Sequence, residues 1–180
     1  MKNVGTVVLE TSRLLLRRFR ENDAQELCDG FINQQAFLYY ANKKAIKLDD
    51  EMSFLKGINE RYDDPCYYNW LITLKDDGKI IGSINMNVDN SNESCEFNYA
   101  IDERFTGNGY MTEALSAVRD LCLNTIMVKR LSGGCEINNT ASRRVMEKCG
   151  FTCEGLLKNH LELSDGYHDM FIFSIYNNKH

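Results

Sequence analysis

CEFNYAIDERFTGNGYMTEALSAVRDLC, running from Cys95 to Cys122, changes character twice. Cys95 to Ile101 follows the polar turn Asp89 to Ser94 and reads as a strand. From Tyr110 onward, Met111, Ala114, Leu115, Val118, Leu121 and Cys122 recur at three- and four-residue spacing, which predicts one apolar helical face continuing to Ile126. Between them lies Arg104-Phe105-Thr106-Gly107-Asn108-Gly109. Its glycines let backbone N–H groups turn toward a ligand, and the helix N-terminus that follows adds partial positive charge, so the loop suits a pyrophosphate. A plain strand-to-helix turn uses glycine just as readily, and the loop alone leaves both readings open. It lacks the Gly-Lys-Ser/Thr ending of a P-loop and the third glycine of the dinucleotide pattern, which puts nucleoside triphosphate and NAD behind.

Working outward, Trp70 to Leu74 and Ile80 to Met86 flank Asp76-Asp77-Gly78, residues that supply the positive φ of a tight hairpin. With Cys95 to Ile101 they form an antiparallel meander. Upstream, Arg13 to Arg18 reads as a strand and Asn22-Asp23 as the cap of a helix near Ala24. Met52, Leu55 and Ile58 mark a second helix before the chain's only proline, Pro65. Downstream come a strand (Leu131 to Ile137), a short helix (Ala141 to Lys148) ended by Gly150, and a hairpin of Phe151 to Leu157 with Met170 to Ile175. This order predicts one α/β domain over residues 1–180, with a mixed sheet of about seven strands and helices on both faces.

Composition narrows the function. The 180 residues are 43% hydrophobic, enough for a sizeable core, and a formal net charge of −5 disfavours nucleic acid. No stretch approaches the ~20 apolar residues of a membrane span, and the N-terminal run Val7-Val8-Leu9 is too short for a signal peptide. Seven scattered cysteines without a Cys-x-x-Cys pair argue against a disulfide framework or a zinc site and read as reduced thiols, so a cytoplasmic setting is expected.

Arg104 to Gly109 resembles the pyrophosphate loop of the GNAT superfamily of acetyl-CoA-dependent N-acetyltransferases, Arg/Gln-x-x-Gly-x-Gly/Ala. Leu9-Glu10-Thr11-Ser12-Arg13-Leu14-Leu15-Leu16-Arg17, Gly109 to Leu115, Asn139 to Ser142 with Glu147 to Phe151, and Gly166 to Met170 are similar to its RimJ/RimL-like branch. The resemblance spans nearly the whole chain. It implies the GNAT fold, a strand pair that splays to hold CoA, and acetyl-CoA as donor with no metal.

Residue by residue, the resemblance implies that the backbone of Asn98, Tyr99, Ala100 and Ile101 pairs with the pantetheine arm. Arg104, Phe105, Thr106, Gly107, Asn108, Gly109, Tyr110 and Met111 would hold the pyrophosphate, and Asn139 and Ser142 would contact the pantetheine and thioester. Family chemistry is direct attack of a neutral amine on the thioester, which fits the absence of a Ser-His or Cys-His signature. Glu96 shares a strand face with Asn98 and Ala100 and is the candidate base, directly or through water; otherwise it is a solvent-face glutamate or a partner of Arg119. Relatives carry a tyrosine acid four residues before the Gly-Phe pair, but here Met146 stands there, which leaves Ser142 as the candidate thiolate partner. Ser142 also suits a plain helix-start residue, and His160 and His168 read as hairpin-surface residues.

The acceptor is expected to be an amine, either a protein N-terminal α-amine or a small molecule such as an antibiotic, polyamine or amino acid. A non-catalytic acyl-CoA-binding module also fits the loop. The acceptor pocket is expected between the region Phe31 to Tyr68, with Tyr39, Tyr40 and Trp70 as possible lining, and the loop Asp89 to Ser94. Either a monomer or a homodimer is compatible with these features.

Overall fold

A computed structural model describes residues 1–28, 48–163 and 165–177. Eight strands form one sheet: β1 (Leu9–Glu10), β2 (Leu14–Arg17), β3 (Tyr68–Leu74), β4 (Ile80–Asp89), β5 (Ser94–Ile101), β6 (Arg130–Glu136), β7 (Thr152–Leu163) and β8 (Gly166–Tyr176). Their order is β1-β2-β3-β4-β5-β6-β8-β7, and every pairing is antiparallel except β5 with β6. The strand beyond the expected seven is β1, whose two residues are too few to show a periodic pattern. The last hairpin also extends past the expected bounds, because β7 and β8 continue beyond register shifts at Cys153/Gly155 and Leu157/Leu161 that blur the alternation.

Both faces are covered, and alternation decides which residues go where. On one face Leu14, Leu16, Trp70, Ile72, Ile84 and Phe97 pack against helices α3 (Tyr110–Leu121) and α4 (Thr140–Lys148) through Met111, Ala114, Leu115, Val118 and Met146. On the other, Leu71 and Ile80 meet α1 (Ala24–Glu26) and α2 (Leu48–Glu60) through Ala24, Leu55 and Ile58. The expected apolar stripe of α3 is thus its buried face, and truncating Leu115, which is fully buried, costs roughly 2–5 kcal/mol by lost transfer and cavity energy. A π-helical turn, Cys122–Ile126, carries the helix to the expected end before Met127 stops it at φ 61°. Among the described residues no helix is long and apolar enough to cross a membrane.

Trp70 belongs to this core. Its side chain is fully buried and its indole N–H donates to the Val7 carbonyl at 2.6 Å, so it does not line an acceptor pocket. Tyr39 and Tyr40 lie outside the described residues.

Candidate active site

β5 is paired with β4 along its whole length, from Ser94 opposite Asp89 to Ile101 opposite Gly82. With β6 it pairs only at Ser94–Arg130, Cys95–Leu131 and Glu96–Ser132. Beyond Glu96 the two strands part, so Phe97 to Ile101 present one free backbone edge to a wedge-shaped gap. The Phe97 side chain stands where the pairing stops. The Phe97 ring lies over Gly133 of β6 so closely that a Cβ there would fall 2.5 Å from it, and the ring also packs edge-on against Phe151. Only glycine at 133 lets so bulky a wedge fit.

The mouth of this gap is the glycine loop. Gly107 and Gly109 both have positive φ, +79° and +78°, where glycine pays no Cβ penalty, and Gly109 is the N-cap of α3. The helix's first backbone bond is Glu113 N–H to Gly109 O, so the amides of Tyr110, Met111 and Thr112 precede it and are available to an anion. Before the loop, buried Asp102 accepts the Arg104 amide at 2.8 Å and pairs with its guanidinium, which fixes the turn Glu103–Phe105. Thr106 and Asn108 bond back to carbonyls within the same loop.

Behind the loop stands a brace that sequence reasoning missed. Glu113 accepts hydrogen bonds from the Thr11 hydroxyl (2.6 Å), the Ser12 hydroxyl (2.9 Å), the Arg13 amide (2.9 Å) and Arg13 Nε (2.7 Å). Arg13 also donates to the Asn108 carbonyl at 3.0 Å and lies over the Tyr110 ring at 4.4 Å. Burial alone would raise the Glu113 carboxyl, but the bonds from Thr11, Arg13 and Ser12 outweigh it and hold it at about 2. The signal was present in the sequence: Thr11-Ser12-Arg13 and Glu113 both sit in stretches that carry the family resemblance, though nothing in one dimension joins them.

At the other end of the gap, Asn139 and Ser142 divide the two expected roles. Asn139 caps α4, its Oδ1 accepting the Ser142 amide at 2.9 Å. That leaves the Ser142 hydroxyl for another partner, and it lies 2.8 Å from the Tyr99 hydroxyl. Cys135 of β6 is buried, and burial pushes its thiol up to about 11. Met146 is fully buried and supplies no proton.

Glu96 lies on the opposite face of β5 and is exposed. Arg119 does not hold it; that guanidinium pairs with Asp120 and donates to the Cys149 carbonyl. Across the strands Glu96 faces Asn87, and Asn98 faces Asn85, which in turn faces Asn69. Asn69, Asn85 and Asn87 line a cleft of about 390 Å³ with Arg61, Cys66 and Tyr67. The Arg61 guanidinium stacks on the Tyr67 ring at 4.1 Å, and Asn90 of the loop after β4 donates from Nδ2 to Cys66 Sγ at 3.4 Å. Of the two segments expected to shape the acceptor pocket, the cleft draws on Arg61, Cys66, Tyr67 and Tyr68 of the first, while the loop Asp89 to Ser94 contributes no lining residue. His160 is exposed as expected, while His168 is half-buried between Glu136 (3.2 Å) and Asp165 (2.8 Å), which raise its pKa. No group of metal-binding side chains occurs among the described residues.

The profile of the acetyltransferase (GNAT) domain family matches residues 13–152. The chain belongs to the GNAT N-acetyltransferases. Among similar curated proteins are an uncharacterized N-acetyltransferase, YoaA, of Bacillus subtilis, 25% identical over 93% of this chain and 96% of its own. The [ribosomal protein uS5]-alanine N-acetyltransferase of Escherichia coli is 28% identical over 93% of this chain and 89% of its own. Two solved GNAT structures share the fold. RimL, the ribosomal L7/L12 α-N-protein acetyltransferase in complex with coenzyme A, superposes with a TM-score of 0.85 at 21% identity, covering 97% of this chain and all of that one. The microcin C7 self-immunity acetyltransferase MccE in complex with acetyl-CoA and AMP gives 0.80 at 23% identity, over 92% and 93% of the two chains. This GNAT chain thus has the donor chemistry of its family, acetyl transfer from acetyl-CoA, on a mixed sheet with a parted strand pair.

Proposed function

We propose that the chain, as a single domain, acetylates a protein N-terminal α-amine by direct attack in a ternary complex. The observation that carries this reading is the arrangement of β5: its free edge opens on the gap beside the glycine loop, while on its outer face Glu96 stands opposite Asn87, one of the asparagines that line the cleft. Acetyl-CoA fits the first feature. Its pyrophosphate suits the amides from Gly107 to Met111, its pantetheine amides suit the backbone of Asn98 to Ile101, and its sulfur would be met by Ser142. A peptide suits the second, because the amide side chains of Asn69, Asn85 and Asn87 can both donate to and accept from its backbone. The Escherichia coli uS5-alanine enzyme, a relative across nearly the whole chain, supports a protein acceptor. The cytoplasm, as monomer or homodimer, is the setting this implies.

In the reaction the neutral amine attacks the thioester carbonyl and its proton passes to Glu96, directly or through a water. No acyl-enzyme is needed. The test is a panel of N-terminal peptides, polyamines and amino acids with acetyl-CoA, followed by thiol release. Peptide turnover with intersecting double-reciprocal plots supports the reading. Turnover of small amines alone moves the acceptor to that class, parallel plots or a trapped acetyl-cysteine removes direct transfer, and CoA binding without turnover reduces the chain to a binding module.

A further inference from the structure

Met146 of α4 is fully buried and supplies no proton, but a phenol from β5 reaches the Ser142 end of the gap. The side chain of Tyr99 points from β5 across the opening to α4. Its ring stacks on Phe97 at 6.0 Å with planes 7° apart, and its hydroxyl lies 2.8 Å from Ser142 Oγ and 3.1 Å from the Ser142 carbonyl. A phenol has one hydrogen to give. The contact to Oγ is the shorter of the two, and a phenol is a stronger acid than an aliphatic hydroxyl, so between the two hydroxyls Tyr99 is the better donor and Ser142 Oγ the better acceptor. When Tyr99 donates to Oγ, the serine's own hydrogen is left for another acceptor. Ser142 is oriented a second time by its amide, which Asn139 holds at 2.9 Å.

We propose that Tyr99 is a positioning residue for the leaving group: its hydroxyl donates to Ser142 Oγ and so directs the serine hydrogen at the sulfur of the departing CoA. This rests on the reading of Ser142 as the thiolate partner. As the tetrahedral intermediate collapses, the C–S bond breaks and its electron pair goes to sulfur. The thiolate is met by the Ser142 O–H, leaves hydrogen-bonded, and takes its proton from water on release; the amine proton has already gone to Glu96 or water. Tyr99 gives up no proton. Its burial pushes the phenol well above the ordinary range, which keeps it a neutral donor at every working pH.

The experiment follows kcat together with the thiolate absorbance of bound CoA against pH, in wild type, Tyr99→Phe, Ser142→Ala and the double variant. Tyr99→Phe keeps the ring and its stack on Phe97. It is expected to lower kcat by about 10-fold at every pH and to raise the pKa of the bound CoA thiol, with the CoA Kd little changed. The double variant should be no worse than Ser142→Ala, because the two hydroxyls act as one unit. Should Tyr99→Phe be poorly folded, 3-fluorotyrosine in place of Tyr99 is a stronger donor of the same shape and should lower the bound thiol pKa. If Ser142→Ala matches wild type in both readouts, the Ser142 assignment falls and this inference falls with it. If Ser142→Ala is impaired while Tyr99→Phe matches wild type, or the two losses multiply, the Tyr99 inference alone is overturned.

Discussion

The two faces of β5 are built on different terms. Phe97 and Tyr99 point to the face shared with α3 and α4, while Glu96 and Asn98 stand opposite Asn87 and Asn85, which line a polar cleft. The side with the glycine loop is assembled from three separated segments: the loop at Gly107–Gly109, its brace at Thr11–Arg13, and the start of α4. The cleft on the other side is lined by polar residues of neighbouring strands and a turn, with buried Tyr68 and Met86 among them. The contrast is between a site joined by hydrogen bonds across distant segments and one laid out along adjacent strands.

The largest effect should come from closing the donor side. Gly107 faces open space at φ +79°, so Gly107→Glu puts a carboxylate where a phosphate must sit as well as straining the turn. We expect at least a 100-fold loss of CoA affinity by calorimetry in a folded protein, since repulsion and lost amide contacts together exceed 2.7 kcal/mol. Unchanged affinity would detach the loop from CoA and break the comparison.

Removing the brace should have a smaller effect that is also felt in stability. Glu113→Gln replaces charge-assisted bonds to Thr11, Ser12 and Arg13, and should cost about 1.5–3 kcal/mol of unfolding free energy together with several-fold weaker CoA binding. Because the folded carboxyl titrates at about 2, below its ordinary 4.5, its stabilising contribution is complete above the latter and is lost as pH falls toward the former. Denaturant melts of wild type and Glu113→Gln should therefore differ most above pH 4.5 and converge toward pH 2. A constant gap across that window would contradict the brace.

The smallest effect should come from the thiols. None of the seven cysteines is in a disulfide, and burial pushes Cys95 and Cys135 up to about 11, so at neutral pH these two are protonated and poor nucleophiles. Single Cys→Ala variants should keep turnover within a few-fold, as direct transfer requires. Loss of all activity in any one of them would reopen covalent catalysis.

Much of the donor side was legible because local pattern specifies it: alternation marks β5, the 3.6-residue period marks α3, and two glycines fix the turn between them. The parting of β5 from β6 was implied by family resemblance alone, since where pairing stops, beside the contact of Phe97 with Gly133, is set between distant segments that no periodicity encodes. The same holds for Arg13 and Glu113, whose bond crosses 100 residues. Trp70 misled for a related reason: an aromatic residue on a strand fits a pocket or a core equally until the facing layer is known, and here Val7 and the core claim it. The acceptor side was least legible, because a cleft made from a turn and three cross-strand asparagines has no pattern of its own.

The pH–rate profile of Glu96→Gln, measured beside its CoA affinity, tests most directly the claim that β5 serves the donor on one side and the amine on the other. The CoA Kd should stay within about twofold of wild type, because Glu96 faces away from the gap, while kcat at pH 7 falls by about 10–100-fold, the usual worth of a general base. The defect should shrink above pH 9, where an α-amine of ordinary pKa near 8 is already neutral and no longer needs the carboxylate. A Glu96→Gln enzyme with wild-type kcat at pH 7, or one whose CoA affinity collapses together with its rate, would contradict this division of β5.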